Sequence, residues 1–499
     1  MDTISGCPSW SSNLVYRSAE PMARTLITHS YFYRLDPKQW KDARPYPPLG
    51  TLQVAALLRS KGHTVHVFDT ALSEGPAALG PVLRNLHPEV LVIQDDSFNY
   101  LTKMCLGVMR DAALQMIGMG LDAGCRIVVN SSDATDHPEV YLRAGATAVI
   151  MGESEEALVE LLAAWETGNA WRMLANVASL DDAQLIIRSK RPVLRALDDL
   201  PLPAWDLIDT EPYRARWNAS QGYFSLNMAT TRGCPFKCNW CAKPIYGNRY
   251  NSRSPEHVAD EIAMIQELHR PDHLWFADDI FGLKPGWVQR FAQVLEQRGL
   301  RIRYKIQSRV DLLLESDTID ALVRSGLEEV WVGAESGSQR ILDAMDKGTR
   351  VEQISEATRL LKQKGVRVCF FLQFGYPGET EADVESTIRM VEDLMPDDIG
   401  VSVSYPLPGT PFFERVRAEL GAKSNWTDSD DLAMMFRSTH GPAYYKRLHR
   451  YVHNRYRRRQ ALLHLKGAPP FRPGKAIAAL YYVPATMIEG LRLHLTSRS

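Results

Sequence analysis

The sequence predicts an α/β protein of two successive domains, a flavodoxin-like doubly wound sheet and then a partial (β/α)6 barrel, followed by a helical C-terminal region. Short apolar runs alternate with amphipathic helical stretches in both halves of the chain, the pattern of strands that return through helices to pair in parallel. The second half also lacks a tight hairpin signal. A length of 499 residues with 45% hydrophobic content supports two or three domains with sizeable cores.

The first domain spans 23–170. ARTLITHS, HTVHVFD, EVLVIQ, CRIVVN and ATAVIM read as its strands, and TLQVAALLRSKG, ALGPVLRNL, the segment after Tyr100, PEVYLRAG and EEALVELLAAW as what connects or follows them. In such a sheet ligands lie beyond the carboxyl ends of the strands, here PYPPLG, QDDSFNY and NSSDATDHPE. Residues 1–22 are an N-terminal extension. The proline-marked stretch 171–220, including PVLRALDDLPLPAWDLIDTEPY, reads as an interdomain strap because proline disfavours regular pairing. From 221 to 410, YFSLNMA, HLWFAD, RYKIQS, EVWVGAE, VRVCFFLQF and IGVSVSY read as six barrel strands.

Residues 411–499 hold YYKRLHRYVHNRYRRRQALLHLK, a basic helix expected to pack on the barrel, with peripheral membrane contact as the alternative. AIAALYYVPATMI is interrupted by Pro484 and falls short of the roughly 18 apolar residues of a spanning helix. It reads as core, with contact to a lipid or macrocycle as the alternative, and no transmembrane segment is expected. With 58 Lys and Arg against 59 Asp and Glu, the net charge of -1 provides no global field for nucleic acid, and no nucleic-acid partner is expected. The first twenty residues lack the basic and apolar regions of a secretory signal, so a reducing cytoplasm without disulfides is expected.

Only seven cysteines occur, yet three crowd into TTRGCPFKCNWC. Cys234, Cys238 and Cys241 have the spacing C-x3-C-x2-C at the carboxyl end of the first barrel strand, the face where barrels carry their chemistry. Three ligands fall one short of a closed structural zinc site or an ordinary four-cysteine cluster. His257 and His273 could complete a zinc site, although neither has a finger spacing. Gly233 and Pro235 allow the loop to turn sharply. Cys125 and Cys369 read as buried free thiols in strands, Cys105 as a helix core residue, and Cys7 has no assigned place.

The triple-cysteine motif, with Trp240 before the third cysteine, resembles the radical S-adenosylmethionine (SAM) superfamily. The resemblance implies a 4Fe-4S cluster on Cys234, Cys238 and Cys241, with SAM chelating the remaining iron and yielding a 5'-deoxyadenosyl radical on one-electron cleavage. It places contacts to SAM at the other strand ends: Asp278 and Asp279 in FADD, Ser308 and Arg309 in QSRVD, Glu335 in GAESGS, and Gln373 in FLQFGYPGET. A carboxylate-binding Arg309 makes electrostatic sense. For each of these residues a capping or salt-bridging role is the alternative. Glu379 and Thr380 are expected to open the following helix.

A flavodoxin-type sheet ahead of such a barrel resembles the cobalamin-dependent class of that superfamily, which includes methylases and the anaerobic magnesium-protoporphyrin monomethyl ester cyclase family. RPYPPLGTLQVAALLRSKGHTVHVFD, AGATAVIMGESEEALVELL and LDDLPLPAWDLI carry the resemblance. It implies cobalamin as a further cofactor, methylation of an unactivated centre in a small molecule or a lipid or tetrapyrrole precursor, and a low-potential electron donor such as flavodoxin or ferredoxin. The chain departs from the class after the fourth strand. Asn130, Ser131, Ser132 and Asp133 stand where the class has a glycine-rich turn that lets the corrin approach the backbone. No Asp-x-His-x-x-Gly pattern supplies an axial histidine; His29 and His137 lie near the relevant strand ends. A cobalamin-independent cyclisation, rearrangement or oxidation is the alternative reaction, and a non-catalytic iron-sulfur or corrin sensor the alternative of another class.

Overall fold

The computed structural model describes residues 24–98, 106–421, 425–436, 438–466, 474 and 477–497. Cys7 and Cys105, the N-terminal extension and the start of the segment after Tyr100 lie outside them.

In the front domain β1 (Thr25–Thr28), β2 (Val65–Phe68), β3 (Val90–Gln94), β4 (Arg126–Asn130) and β5 (Ala148–Ile150) pair in parallel in the order β2-β1-β3-β4-β5. The central strand β3, VLVIQ, is buried along its whole length, as a parallel strand covered on both faces requires. Separate apolar cores fill the two faces. Leu91, Ile93 and Met116 belong to one, and Val90, Val92 and Leu161 to the other.

The expected strap begins too early. Residues 171–220 contain β6 (Val177–Asp181) and β7 (Gln184–Ile187), an antiparallel pair that extends the front sheet beyond β5. Asp182 and Ala183 both take positive φ, 44° and 65°, in the two-residue turn between them. Their identities lack the glycine that normally advertises such a turn, so the hairpin escapes a sequence reading. The strap proper follows as isolated 3-10 turns, Leu197–Asp199 and Trp205–Leu207. Its Pro201 carbonyl accepts from Gln53 at 2.7 Å, and Trp205 Nε1 donates to Glu261 at 3.0 Å, so it joins the two domains.

The barrel is an open arc of six parallel strands, as expected. β8 (Ser225–Met228), β11 (His273–Phe276), β12 (Tyr304–Ser308), β13 (Leu327–Glu335), β14 (Arg367–Phe374) and β15 (Asp398–Val403) lie in the order β15-β14-β13-β12-β11-β8. A small antiparallel ribbon, β9 (Thr231–Arg232) and β10 (Asn251–Ser252), closes the base of the cysteine loop. Phe276, Phe281, Trp287, Phe291 and Tyr304 form an aromatic cluster beneath β11 and β12.

Beyond the barrel the chain returns to the front domain. Gly107 N–H donates to the Trp426 carbonyl at 2.6 Å, and Ser429 Oγ to Asp36 at 2.7 Å. The basic helix Pro442–Leu465 packs on the barrel as expected: Arg455 pairs with Glu385 at 2.7 Å and Glu392 at 2.5 Å. The reading of AIAALYYVPATMI as core is corrected. Pro484 lies inside a continuous helix, Ala479–Ser497, and Leu480, Tyr481 and Met487 are exposed. No helix among the described residues is long and apolar enough to cross a membrane. Cys125 and Cys369 are buried strand-region thiols, as expected.

Candidate active site

The cysteine loop leaves β9 at Gly233, whose φ of 75° and contact with the Arg249 carbonyl leave no room for a Cβ. Cys234, Cys238 and Cys241 are half-buried free thiols close enough to influence one another electrostatically. Burial raises the Cys234 thiol and, with Asp279 nearby, pushes the Cys241 thiol up to about 12, so a bare site disfavours thiolates and a cationic centre would draw them out.

Asn239 pins the loop. Its Nδ2 donates to the Ala344 carbonyl and to Asp346, both at 2.8 Å, its Oδ1 accepts from Tyr376 at 2.8 Å, and its backbone meets Met345 and Phe412. Trp240 packs on the barrel core, while its buried Nε1 has no acceptor among the described residues. Among those residues no three His, Cys, Asp or Glu side chains converge on a single ion. Three thiols on one loop with an orphaned donor beside them fit a multi-iron cluster and a polar co-ligand better than a closed zinc site.

The strand-end residues divide. Asp278 is wholly engaged in holding the cysteine loop's root: its carboxylate accepts from Thr230 N–H and Oγ1 at 2.7 Å and Thr231 N–H at 2.8 Å, and burial raises it to about 6. Asp279 is exposed beside the thiols. Arg309, expected to contact the SAM carboxylate or to form a salt bridge, pairs with Asp311 at 2.9 Å, donates to the Lys347 carbonyl at 2.8 Å and lies 3.7 Å over the Phe236 ring of the cysteine loop. Ser308 donates to the Phe281 carbonyl at 3.4 Å, and Gln373 Nε2 to Ser404 at 2.9 Å, which ties β14 to β15.

Glu335 ends β13 at a register shift with φ of 56°, an uncommon conformation for a non-glycine residue. It forms a buried 2.8 Å pair with Lys347, whose ammonium feels Cys238. Gly333 makes room for the pair, since a Cβ there would lie 2.5 Å from Lys347 Nζ and 2.7 Å from Glu335 Oε1. Sequence reasoning missed Lys347; a lysine followed by Gly348 after a short helix gives no distinctive signal.

Arg232, also missed, adjoins the motif. Its guanidinium meets Glu153 at 2.5 Å and Glu155 at 2.6 Å, all three side chains nearly fully buried. It lies over Tyr246 and Phe98 as well, at 5.2 and 5.9 Å. Glu153 and Glu155 follow β5, so this bridge joins the cysteine loop to the carboxyl edge of the front sheet. Beside it opens a cleft of ≈ 740 Å³, lined by Thr135, Asp136, Gly152, Lys243, Tyr250 and Pro408 among others.

The turn after β4 is buried and mostly self-satisfied. Asn130 binds the Ile150 and Gly152 carbonyls at 2.8 and 2.9 Å and accepts from Gln94, while Asp133 is held by Arg110 at 2.6 Å and Tyr141 at 2.5 Å. Ser132 Oγ alone in that turn is buried without a partner. His29 is committed to Asp69 at 2.8 Å and to Thr70, and burial lowers the half-buried His137. The edge thus leaves Ser132 Oγ as an unpartnered polar atom next to the residues that line the cleft, Thr135 and Asp136, and does not offer His29 as an axial donor.

Glu379 and Thr380 open the helix Glu381–Leu394 as expected, with Thr380 and Asp383 forming a capping box. Glu379 turns back to accept from Gly375 N–H at 2.6 Å; burial pushes its carboxyl up to about 8, and its Oε1 is unpartnered. A carboxyl raised in the folded state binds protons more tightly there than in the unfolded chain, so its contribution to stability falls as pH rises from about 4.5 to about 8. Glu379→Gln removes that dependence. Its thermal stability relative to the parent is expected to improve across this range by at least about 1 kcal/mol, measured by unfolding at a series of pH values.

Residues 228–391 match the Radical SAM superfamily model. This chain contains a radical SAM domain. It is 26% identical to the "uncharacterized methyltransferase PH0819" of Pyrococcus horikoshii, over 76% of this chain and 81% of that one. It is 27% identical to the anaerobic magnesium-protoporphyrin IX monomethyl ester cyclase of Cereibacter sphaeroides, over 76% of this chain but only 61% of the cyclase. The fold is shared with the radical SAM methyltransferase TsrM of Kitasatospora setae, solved with cobalamin and a [4Fe-4S] cluster, at a TM-score of 0.65 and 16% identity over 79% of this chain and 75% of that chain. The protein is thus an enzyme with a radical SAM domain over residues 228–391, similar to proteins named as methyltransferases and cyclases.

Proposed function

We propose that this radical SAM enzyme uses cobalamin to methylate an unactivated centre of a small molecule, or of a lipid or tetrapyrrole precursor. The observation that carries the reading is the buried bridge from Arg232, two residues before Cys234, to Glu153 and Glu155 at the end of β5. It holds the cysteine loop against the carboxyl edge of the front sheet, where ligands of doubly wound sheets lie, so a substrate between the domains can meet both sites.

In this reading Cys234, Cys238 and Cys241 ligate the cluster, Asp279, Trp240 and the Glu335–Lys347 pair face SAM, and the 740 Å³ cleft receives the corrin edge. When bound, the reduced cluster supplies the electron that splits the sulfonium and the corrin supplies the methyl group. The chain's own part is positional. Asn239 and Arg309 fix the loop, Asp278 fixes its root, and the barrel wall shields the radical from water. A flavodoxin or ferredoxin in a reducing cytoplasm would suit the electron demand.

The cyclase relative favours one other reading, a radical cyclisation or oxidation in place of methyl transfer. Anaerobically purified protein is expected to retain near-stoichiometric corrin after incubation with hydroxocobalamin and to pass isotopic label from the SAM methyl group into product. Retained iron and 5'-deoxyadenosine release without label transfer would replace methylation by the second reading. SAM binding without either product would mark a sensor.

A further inference from the structure

The C-terminal helix Ala479–Ser497 presents a continuous apolar face to solvent. Leu480, Met487, Leu491 and Leu495 are 81%, 65%, 67% and 70% exposed, and Tyr481, Pro484 and Ile488 lie on the same side. At 100° per residue these positions occupy one arc of about 120°, the period of an amphipathic helix. The opposite face is occupied: Ala479, Thr486 and Glu489 are buried, and Gly490 meets Tyr451 of the basic helix. The stripe is therefore not the packing side of a helix turned by accident. From Leu480 to Leu495 it runs about 24 Å, longer than any scatter of single exposed leucines needs.

Charge decides what covers it. Residues 442–499 contain twelve Lys and Arg against one acid, Glu489, in a chain whose net charge is -1. That acid is buried between Arg492 at 2.9 Å and Arg450 at 3.8 Å. Arg455, Arg457 and Arg458 are paired with barrel carboxylates. Lys446 and Lys466 are exposed, as are Arg450 and Arg492, whose shared carboxylate is the single one available in the region. A second copy of this helix would bring two cationic rims together, and like charges across an interface oppose association. An anionic bilayer surface satisfies both features, with the apolar face in the acyl boundary and the cations among the headgroups.

We propose that the two C-terminal helices form a docking surface for anionic lipid membranes, with Leu480, Met487, Leu491 and Leu495 inserting. The proposal is independent of the reaction performed at the barrel mouth. The test uses the full chain in a flotation assay with phosphatidylcholine vesicles, with and without phosphatidylglycerol. The chain is expected to float with the anionic vesicles, about tenfold more weakly with the neutral ones, and less at high salt. The combined variant Leu480→Ser, Met487→Ser, Leu491→Ser is expected to lose about tenfold or more in partitioning, with unchanged thermal midpoint and iron loading. No flotation with anionic vesicles, equal flotation with neutral ones, or equal flotation of the variant at preserved fold overturns the proposal. A chain dimer dissolved by the variant, without flotation, overturns it in favour of a second copy.

Discussion

Cys238→Ala is expected to lower reductive cleavage of SAM by at least about a thousandfold while the chain remains folded. The argument rests on what does and does not hold the loop. Cys238 is a half-buried free thiol, whereas the neighbouring Asn239 supplies the bonds to Ala344, Asp346 and Tyr376 that fix the loop to the barrel. Removing the thiol takes away one of the three ligands proposed for the cluster and leaves those bonds intact. Iron per chain, 5'-deoxyadenosine release and the thermal midpoint separate the two effects. A variant that cleaves SAM at the parent rate would remove the radical SAM assignment of the cysteines.

Arg232→Met has the largest expected effect on stability. The guanidinium is the sole cation against Glu153 and Glu155 in the described contacts, and all three side chains are 4–6% exposed. Breaking a buried pair from one side leaves uncompensated charge, at a cost of about 3–5 kcal/mol. Burial and Glu155 raise the Glu153 carboxyl even with Arg232 present. Without the arginine the Glu153 carboxyl rises further, and a folded-state pKa above the unfolded value means a penalty at high pH that is relieved as pH falls. The deficit of the variant is therefore expected to shrink between about pH 8 and pH 5 in thermal unfolding. A deficit that is small or independent of pH would show that the bridge contributes little. Because the bridge joins the domains, label transfer to product is expected to fall more steeply than SAM cleavage.

The parallel strands, the partial barrel and the cysteine loop's position were legible because they follow from local pattern. An apolar run such as VLVIQ has few alternatives to a buried parallel strand, and C-x3-C-x2-C after a barrel strand is a spacing that few other chemistries need. The β6–β7 hairpin was not legible, since Asp182 and Ala183 carry its turn without glycine. The roles of the strand-end residues were not legible either. Arg309 and Asp278 are polar groups at the expected places, and only the contacts with Phe236, Asp311 and Thr230 reveal that they brace the loop.

By itself the sequence determined the two-domain α/β order, the three thiols and the kind of cofactor they suit, since these depend on periodicity and on spacing within a dozen residues. Tertiary structure alone decided which partners close over long separations: Arg232 with Glu153, Thr230 with Asp278, and a C-terminal apolar helix left facing outward instead of inward. The physical reason is that an amphipathic pattern states that one face must leave water, while only the packed chain determines whether protein remains to cover it.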